Sequence, residues 1–259
     1  MELTPEQIKS NWDEFINYIE KYIQSPRKEK LIEFYKRHEE RIALIPVSSK
    51  KGHHSCFPGG YIYHVNKVIE YALNIHEIWT NSNDFETYTL EELIFSAINH
   101  DLGKIGTEEE VSYLPSEDAW RKKNLGEMYK HSDKFPYMSV PDRSLFLLQE
   151  NQIPMSMNEF IAIKVHDGLY DESNKQYLIS YTPEKRPRTA LVYILHSADM
   201  MAARYEFEQE WLKNHNQSSL ETSKKDNTMK SYNTNGNSNK TKALKTVKSE
   251  GLKNMLDNL

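Results

Sequence analysis

Apolar positions in this chain recur at helical rather than strand spacing. The first such stripe, Ile8, Trp12, Phe15, Ile16 and Ile19, follows Thr4, Pro5 and Gln7. A threonine with glutamine three residues on, and proline at the first helical position, is a helix-start signature. A second helix is predicted over about Lys28 to Arg41, and residues 46–60 read as a loop of functional length because prolines, glycines and serines interrupt the pattern. From about Tyr61 to Trp79, Val65, Ile69 and Ala72, with Leu73 or Ile75, make one apolar face. Thr89 opens the next helix with Glu92 completing a capping box; Leu90, Leu93, Ile94, Ala97 and Ile98 follow at helical spacing, and Gly103 is expected to end it. A polar helix near Ser116 to Lys130 comes next, then shorter ones near Asp142 to Glu150 and Asn158 to His166. A long helix over about Arg188 to Trp211 completes an all-α pattern. The β-favouring stretch Gln176 to Tyr181 leaves room for a minor hairpin, and no internal repeat is present.

After Leu212 the pattern stops. Residues 213–242 are rich in Asn, Ser, Thr and Lys, with almost no apolar content, which predicts disorder. Residues 243–259 regain apolar positions (Ala243, Leu244, Val247, Leu252, Met255, Leu256, Leu259) and read as a fraying end or as a short amphipathic helix that docks on a protein partner. The expected organisation is therefore N-terminal helices over 1–45 packing on the core, a main helical domain over 46–212, and a tail over 213–259.

Composition narrows the function. No apolar run is long enough to span a bilayer, and Glu2 with no basic-then-apolar pattern argues against a signal peptide. The single cysteine, Cys56, excludes an internal disulfide framework and fits a reducing cytoplasm. Net charge is −5, but nine Lys against four acidic residues from Lys213 onward leave the body at about −10. Such a body argues against a broad nucleic-acid-binding face, because those faces neutralise phosphates.

The chemistry concentrates at a few positions. His100-Asp101, followed by Leu102-Gly103-Lys104, puts an imidazole beside a carboxylate where an apolar helix runs out, a donor pair suited to Zn, Mn or Fe. His64 lies within the preceding apolar helix, next to Val65. Asp199 lies inside the last one, where a lone buried carboxylate is costly unless it meets a salt-bridge partner or a metal. No Ser–His–Asp or Cys–His arrangement and no Walker or dinucleotide-binding glycine pattern stands out.

The ordered series His64, His100-Asp101, Asp199 on successive helices, with Gly59-Gly60 ahead of His64, resembles the HD-domain superfamily of metal-dependent phosphohydrolases over roughly residues 50–205. The resemblance implies an HD-type all-α bundle in which His64, His100, Asp101 and Asp199 hold a first ion. In binuclear members two further histidines hold a second ion, and His131 and His166 occupy those places in chain order. Gly103-Lys104 stands where single-metal nucleotidases tend to carry an acidic residue, which favours two divalent ions (Mn, Fe, Ni, Zn or Mg). The implied chemistry is attack of metal-activated water on a phosphodiester or phosphomonoester, in a nucleotide or short nucleic acid, with Asp101 bridging and Lys104 offsetting negative charge. His53, His54, Asp167 and Arg188 are candidate substrate contacts, each with a solvent-exposed or turn role as the plain alternative. The Gly-Tyr-Pro signature usual in cyclic-dinucleotide phosphodiesterases is absent. Two rival readings remain: a di-iron oxygenase resembling inositol oxygenase, which uses the same ligand order, and a non-catalytic binding module that retains the metal site.

Overall fold

The computed structural model describes residues 2–212. Its first helix, α1 (Pro5–Tyr22), begins where Thr4 and Gln7 complete their reciprocal cap, and it turns Trp12, Phe15, Ile16 and Ile19 inward. Next come α2 (Arg27–Arg37) and α3 (Glu39–Ile42), separated at His38, so the single helix predicted over this stretch is broken in two. The loop after Ile45 leads into α4 (Gly60–Ser82), the longest helix, which buries Tyr61, Ile62, His64, Val65, Val68, Ile69 and Ala72. The Thr89–Glu92 capping box starts α5 (Leu90–Asn99), and a 3-10 turn, Leu102–Ile105, follows it. Helix α7 (Val140–Glu150) is capped by Ser139 and α8 (Met157–Val165) by a Ser156–Glu159 box. The last long helix, numbered α10, spans Leu191–Phe207.

Helix α4 sits centrally, against α1, α5 and α10, while α8 packs on α5, α7 and α10. One continuous apolar core results, joining Phe15, Tyr35, Tyr61, Phe95, Leu147 and Leu195. Each fully buried side chain of this size contributes about 1.5–3 kcal/mol. The N-terminal helices share that core rather than forming one of their own.

The predicted all-α architecture with a minor hairpin is present, but the hairpin lies elsewhere. Residues Gln176–Tyr181 contribute to a short helix, α9 (Lys175–Leu178), and to a following loop. The small antiparallel sheet instead pairs β1 (Tyr113–Pro115) with β2 (Tyr129–His131), in the register Tyr113 opposite His131. Between them lies α6 (Ala119–Leu125), all that forms of the polar helix expected over 116–130. None of the helices of the described residues is long and apolar enough to cross a membrane. The predictions of disorder over 213–242 and of a terminal amphipathic helix fall outside the described residues.

Candidate metal centre

Four helices deliver the chemistry to one point. His64 lies on the buried face of α4, His100 closes α5, His166 closes α8, and Asp199 lies inside α10. The two helix-end histidines use the same local device. The last carbonyls of a helix lack intrahelical donors; Nδ1 of His100 donates to the Ala97 carbonyl at 2.8 Å, and Nδ1 of His166 to the Ile163 carbonyl at 2.8 Å. His64 is held from behind by a carboxylate: its Nδ1 lies 3.3 Å from Glu206 Oε1, and Glu206 is fixed in turn by the Ser55 hydroxyl. In all three rings Nδ1 is occupied and Nε2 points the other way.

Those Nε2 atoms converge on two carboxylates. His64 Nε2 is 3.0 Å from Asp199 Oδ1 and 3.9 Å from Asp101 Oδ2. His100 Nε2 is 3.6 Å from Asp101 Oδ2 and 3.8 Å from Asp199 Oδ1, and His166 Nε2 is 3.5 Å from Asp101 Oδ1. Asp101 therefore divides its oxygens, one toward His64 and His100, the other toward His166. Lys104 Nζ binds the first of these oxygens at 2.8 Å. The carboxylate is presented by the 3-10 turn, which α7 clamps. Ser144 Oγ accepts from the Gly103 amide at 2.8 Å, and Arg143 donates to the Gly103 carbonyl at 3.0 Å. A side chain at Gly103 would run into the Val140 carbonyl, with Cβ only 2.2 Å away, so the close approach requires glycine.

Electrostatics set the protonation. Burial drives His100 down to about 4 despite the adjacent Asp101, keeping its imidazole neutral. Burial also lowers His64 and His166, but the carboxylates beside them overcome it, lifting His64 to about 10 and His166 to about 9. Asp101 is opposed by burial and held well below the usual carboxylate range by Lys104 and its histidines, while Asp199 is held low by its bond to His64. The ordering is that of a centre short of positive charge, in which protons serve two imidazoles that a cation would otherwise bind.

The donor set fits a metal. Two groups, His64–His100–Asp101 and His100–His166–Asp199, each bring their ligand atoms within 4.8 Å of one another, and they can hold a metal ion. His100 Nε2 is fully buried and has no hydrogen-bond partner, an arrangement that is costly unless something else occupies it. Imidazole Nε2 donors whose Nδ1 atoms are held by carbonyl or carboxylate are the usual support of a metal site.

A cavity of about 380 Å³ opens onto this centre, lined by His54, Asp101, Lys104, His166, Asp167 and Asp199 among others. Larger grooves, of about 890 and 1000 Å³, lie elsewhere and, among the described residues, bring together no such cluster of metal donors. Of the sequence-predicted residues, His64, His100, Asp101, His166 and Asp199 come together, with Lys104, His54 and Asp167 at the cavity wall. His131 does not join them. It stands exposed at the end of β2 with its ring 5.0 Å from that of Tyr113, because the segment expected to form a helix pairs as a strand instead. His53 and Arg188 are also exposed and do not line the cavity. His54 is closer to the centre than expected: its ring lies 4.9 Å from that of His64, and burial, with His64 and Lys104 nearby, pushes it down to about 3.

Two residues were missed. Glu206 was legible, since Leu195, Asp199, Ala202 and Glu206 follow i, i+4, i+7, i+11 spacing on one buried stripe of α10. His196, another cavity residue, binds the His166 carbonyl through Nδ1 at 2.7 Å, and no sequence spacing signals that contact. No family model, curated protein or solved structure matches the chain.

Proposed function

We propose that the protein is a metal-dependent phosphohydrolase resembling the HD-domain superfamily, acting on a phosphodiester or phosphomonoester of a nucleotide or oligonucleotide. The observation that carries this reading is the buried, unpartnered Nε2 of His100, set among two further Nε2 atoms and two carboxylates. His64, His100, Asp101 and Asp199 would hold one divalent ion (Mn, Fe, Ni, Zn or Mg). His166 and the second oxygen of Asp101 would serve another, with Asp167 Oδ1 3.6 Å from His166 Nε2 as a further carboxylate.

When bound, such ions supply Lewis-acid polarisation of a phosphoryl oxygen and acidify water toward neutral pH. The chain's own residues do the rest. Lys104 keeps Asp101 ionised and presents a cation to the cavity, where it offsets charge developing on phosphate oxygens. Glu206 and Ser55 fix the orientation of His64, and the Ala97 and Ile163 carbonyls fix His100 and His166. The binuclear hydrolase and the oxygenase alternative call on the same fourth histidine, and the exposed His131 serves neither.

The test is a panel of nucleotides, short RNA and bis(p-nitrophenyl) phosphate with Mn²⁺, Mg²⁺, Ni²⁺ or Fe²⁺. Phosphate-ester cleavage that disappears with chelator and with Asp101→Asn supports the reading. Oxygen consumption with Fe²⁺ in place of hydrolysis, or no cleavage under any condition, overturns it.

A further inference from the structure

The segment from β1 to β2 is a flap that shows an aromatic ring and several lysines to solvent. Its helix, α6, buries none of its residues. It carries Trp120, 64% exposed, and Leu125, 47% exposed. Lys122 and Lys123 of α6, Lys130 of β2 and Lys51 of the neighbouring loop are exposed and form no ion pair among the described residues. Arg121 differs, being paired with Glu127 at 2.8 Å. Residues 113–131 with Lys50 and Lys51 carry six Lys or Arg against Glu117, Asp118 and Glu127, a net positive stretch on a body whose net charge is about −10.

The flap is stitched to the loop that feeds the metal centre. Lys51 N–H donates to the Gly126 carbonyl at 2.8 Å, the Met128 amide donates to Ser49 at 2.9 Å, and Tyr113 Oη donates to the Val47 carbonyl at 2.9 Å. Three residues beyond Lys51, His54 lines the cavity. The flap is thus bonded to the loop that carries His54 to the cavity, and its lysines face solvent.

We propose that this flap is a docking platform for single-stranded nucleic acid, with Trp120 stacking on an unpaired base and Lys51, Lys122, Lys123 and Lys130 contacting the phosphates. Trp120 and Lys123, three residues apart, share one side of α6, so an aromatic face and a cation can engage one nucleotide together. A duplex is disfavoured because its bases are already stacked, and the cavity of about 380 Å³ admits a nucleotide-sized end. His131 and His53, assigned from the sequence to metal and phosphate, belong to this exposed region instead. Delivery of the strand's end to the metal centre rests on the phosphohydrolase reading; binding to the flap does not.

The experiment is fluorescence anisotropy of a labelled oligo(dT) of about 12 nucleotides with the full chain, over a salt series of about 50–200 mM. Hydrolysis of bis(p-nitrophenyl) phosphate is followed in parallel. Trp120→Ala is expected to weaken binding about 5- to 150-fold. Lys122→Gln with Lys123→Gln is expected to flatten the log–log salt slope by about 1.4. Both variants are expected to retain hydrolysis of the small ester. Absence of binding at low salt overturns the proposal. So does binding indifferent to the flap variants, which assigns it to the lysines of 213–259, and so does equal competition by poly-glutamate, which points to an acidic protein partner. Flap-dependent binding by a chain that hydrolyses nothing would leave the platform standing and remove the phosphohydrolase reading; hydrolysis without flap-dependent binding would do the reverse.

Discussion

At the scale of single residues, Glu206 and Gly168 give the sharpest expectations. Glu206 is buried and touches no cavity wall, yet it holds His64 Nδ1 and accepts from Ser55. Glu206→Gln keeps the shape and removes the charge that orients the ring. Metal affinity is expected to fall about 10- to 100-fold with far-UV circular dichroism unchanged, as read by calorimetric titration; undiminished affinity would strip Glu206 of this role. Gly168 has a φ of +58°, and a Cβ there would sit 2.3–2.8 Å from three atoms of the His196 ring. Gly168→Ala therefore combines left-handed strain with a clash. It is expected to destabilise the fold by about 1–3 kcal/mol in urea unfolding, and a change within error would mean that His196 moves aside freely. The candidate ligands were readable in the sequence because each interrupts an apolar helical stripe or ends one. His131 misled because chain order cannot distinguish a helix end from a strand end, and that choice depends on pairing with Tyr113.

At the scale of elements, two devices hold the helices that present the site. Arg27 of α2 reaches Glu91 of α5 at 2.5 Å and Glu159 of α8 at 2.7 Å, and lies 4.1 Å over the Phe95 ring. Glu159 is wholly buried, so Arg27→Ala strands a charge, and a loss of about 3–5 kcal/mol is expected by chemical denaturation. A loss under about 1 kcal/mol, the range of an exposed pair, would contradict the account. The second device ties the α2–α3 junction to the loop after the 3-10 turn, where Glu108 meets His38 at 2.8 Å and Asn151 at 2.5 Å. Burial tends to raise Glu108, but these partners win and hold it below its ordinary 4.5. Because its folded value is the lower one, its contribution is present above about pH 4.5 and lost as pH falls further. The difference in Tm between wild type and Glu108→Gln should accordingly be largest near neutrality and shrink below that point; a difference that grows on acidification would reverse the sign. The capped helices α1 and α5 were legible from Thr4 and Thr89 and the amide or acid three residues on; the Ser156–Glu159 box of α8 carries the same signal, which the expected start near Asn158 did not use. The β1–β2 pair was not, since each strand is only three residues long and their partnership spans a helix.

At the scale of the whole molecule, the arrangement is one core that gathers three imidazoles and two carboxylates and leaves Nε2 of His100 without a partner. The apolar cluster surrounding α4 fixes the four helices to one another, and the site inherits its precision from that packing rather than from its loops. A ligand that binds only the folded state must stabilise it by mass action. Tm is therefore expected to rise with Mn²⁺ or Zn²⁺ in the wild type and to be insensitive to them in Asp199→Asn. The most direct measurement is elemental analysis of the purified full chain, with His100→Ala alongside it. The wild type is expected to carry one or two equivalents of a divalent transition metal, and His100→Ala to lose them while remaining folded. A wild-type chain that stays metal-free after supplementation, or a His100→Ala chain that keeps its full complement, would contradict the assignment of this cluster as a metal centre.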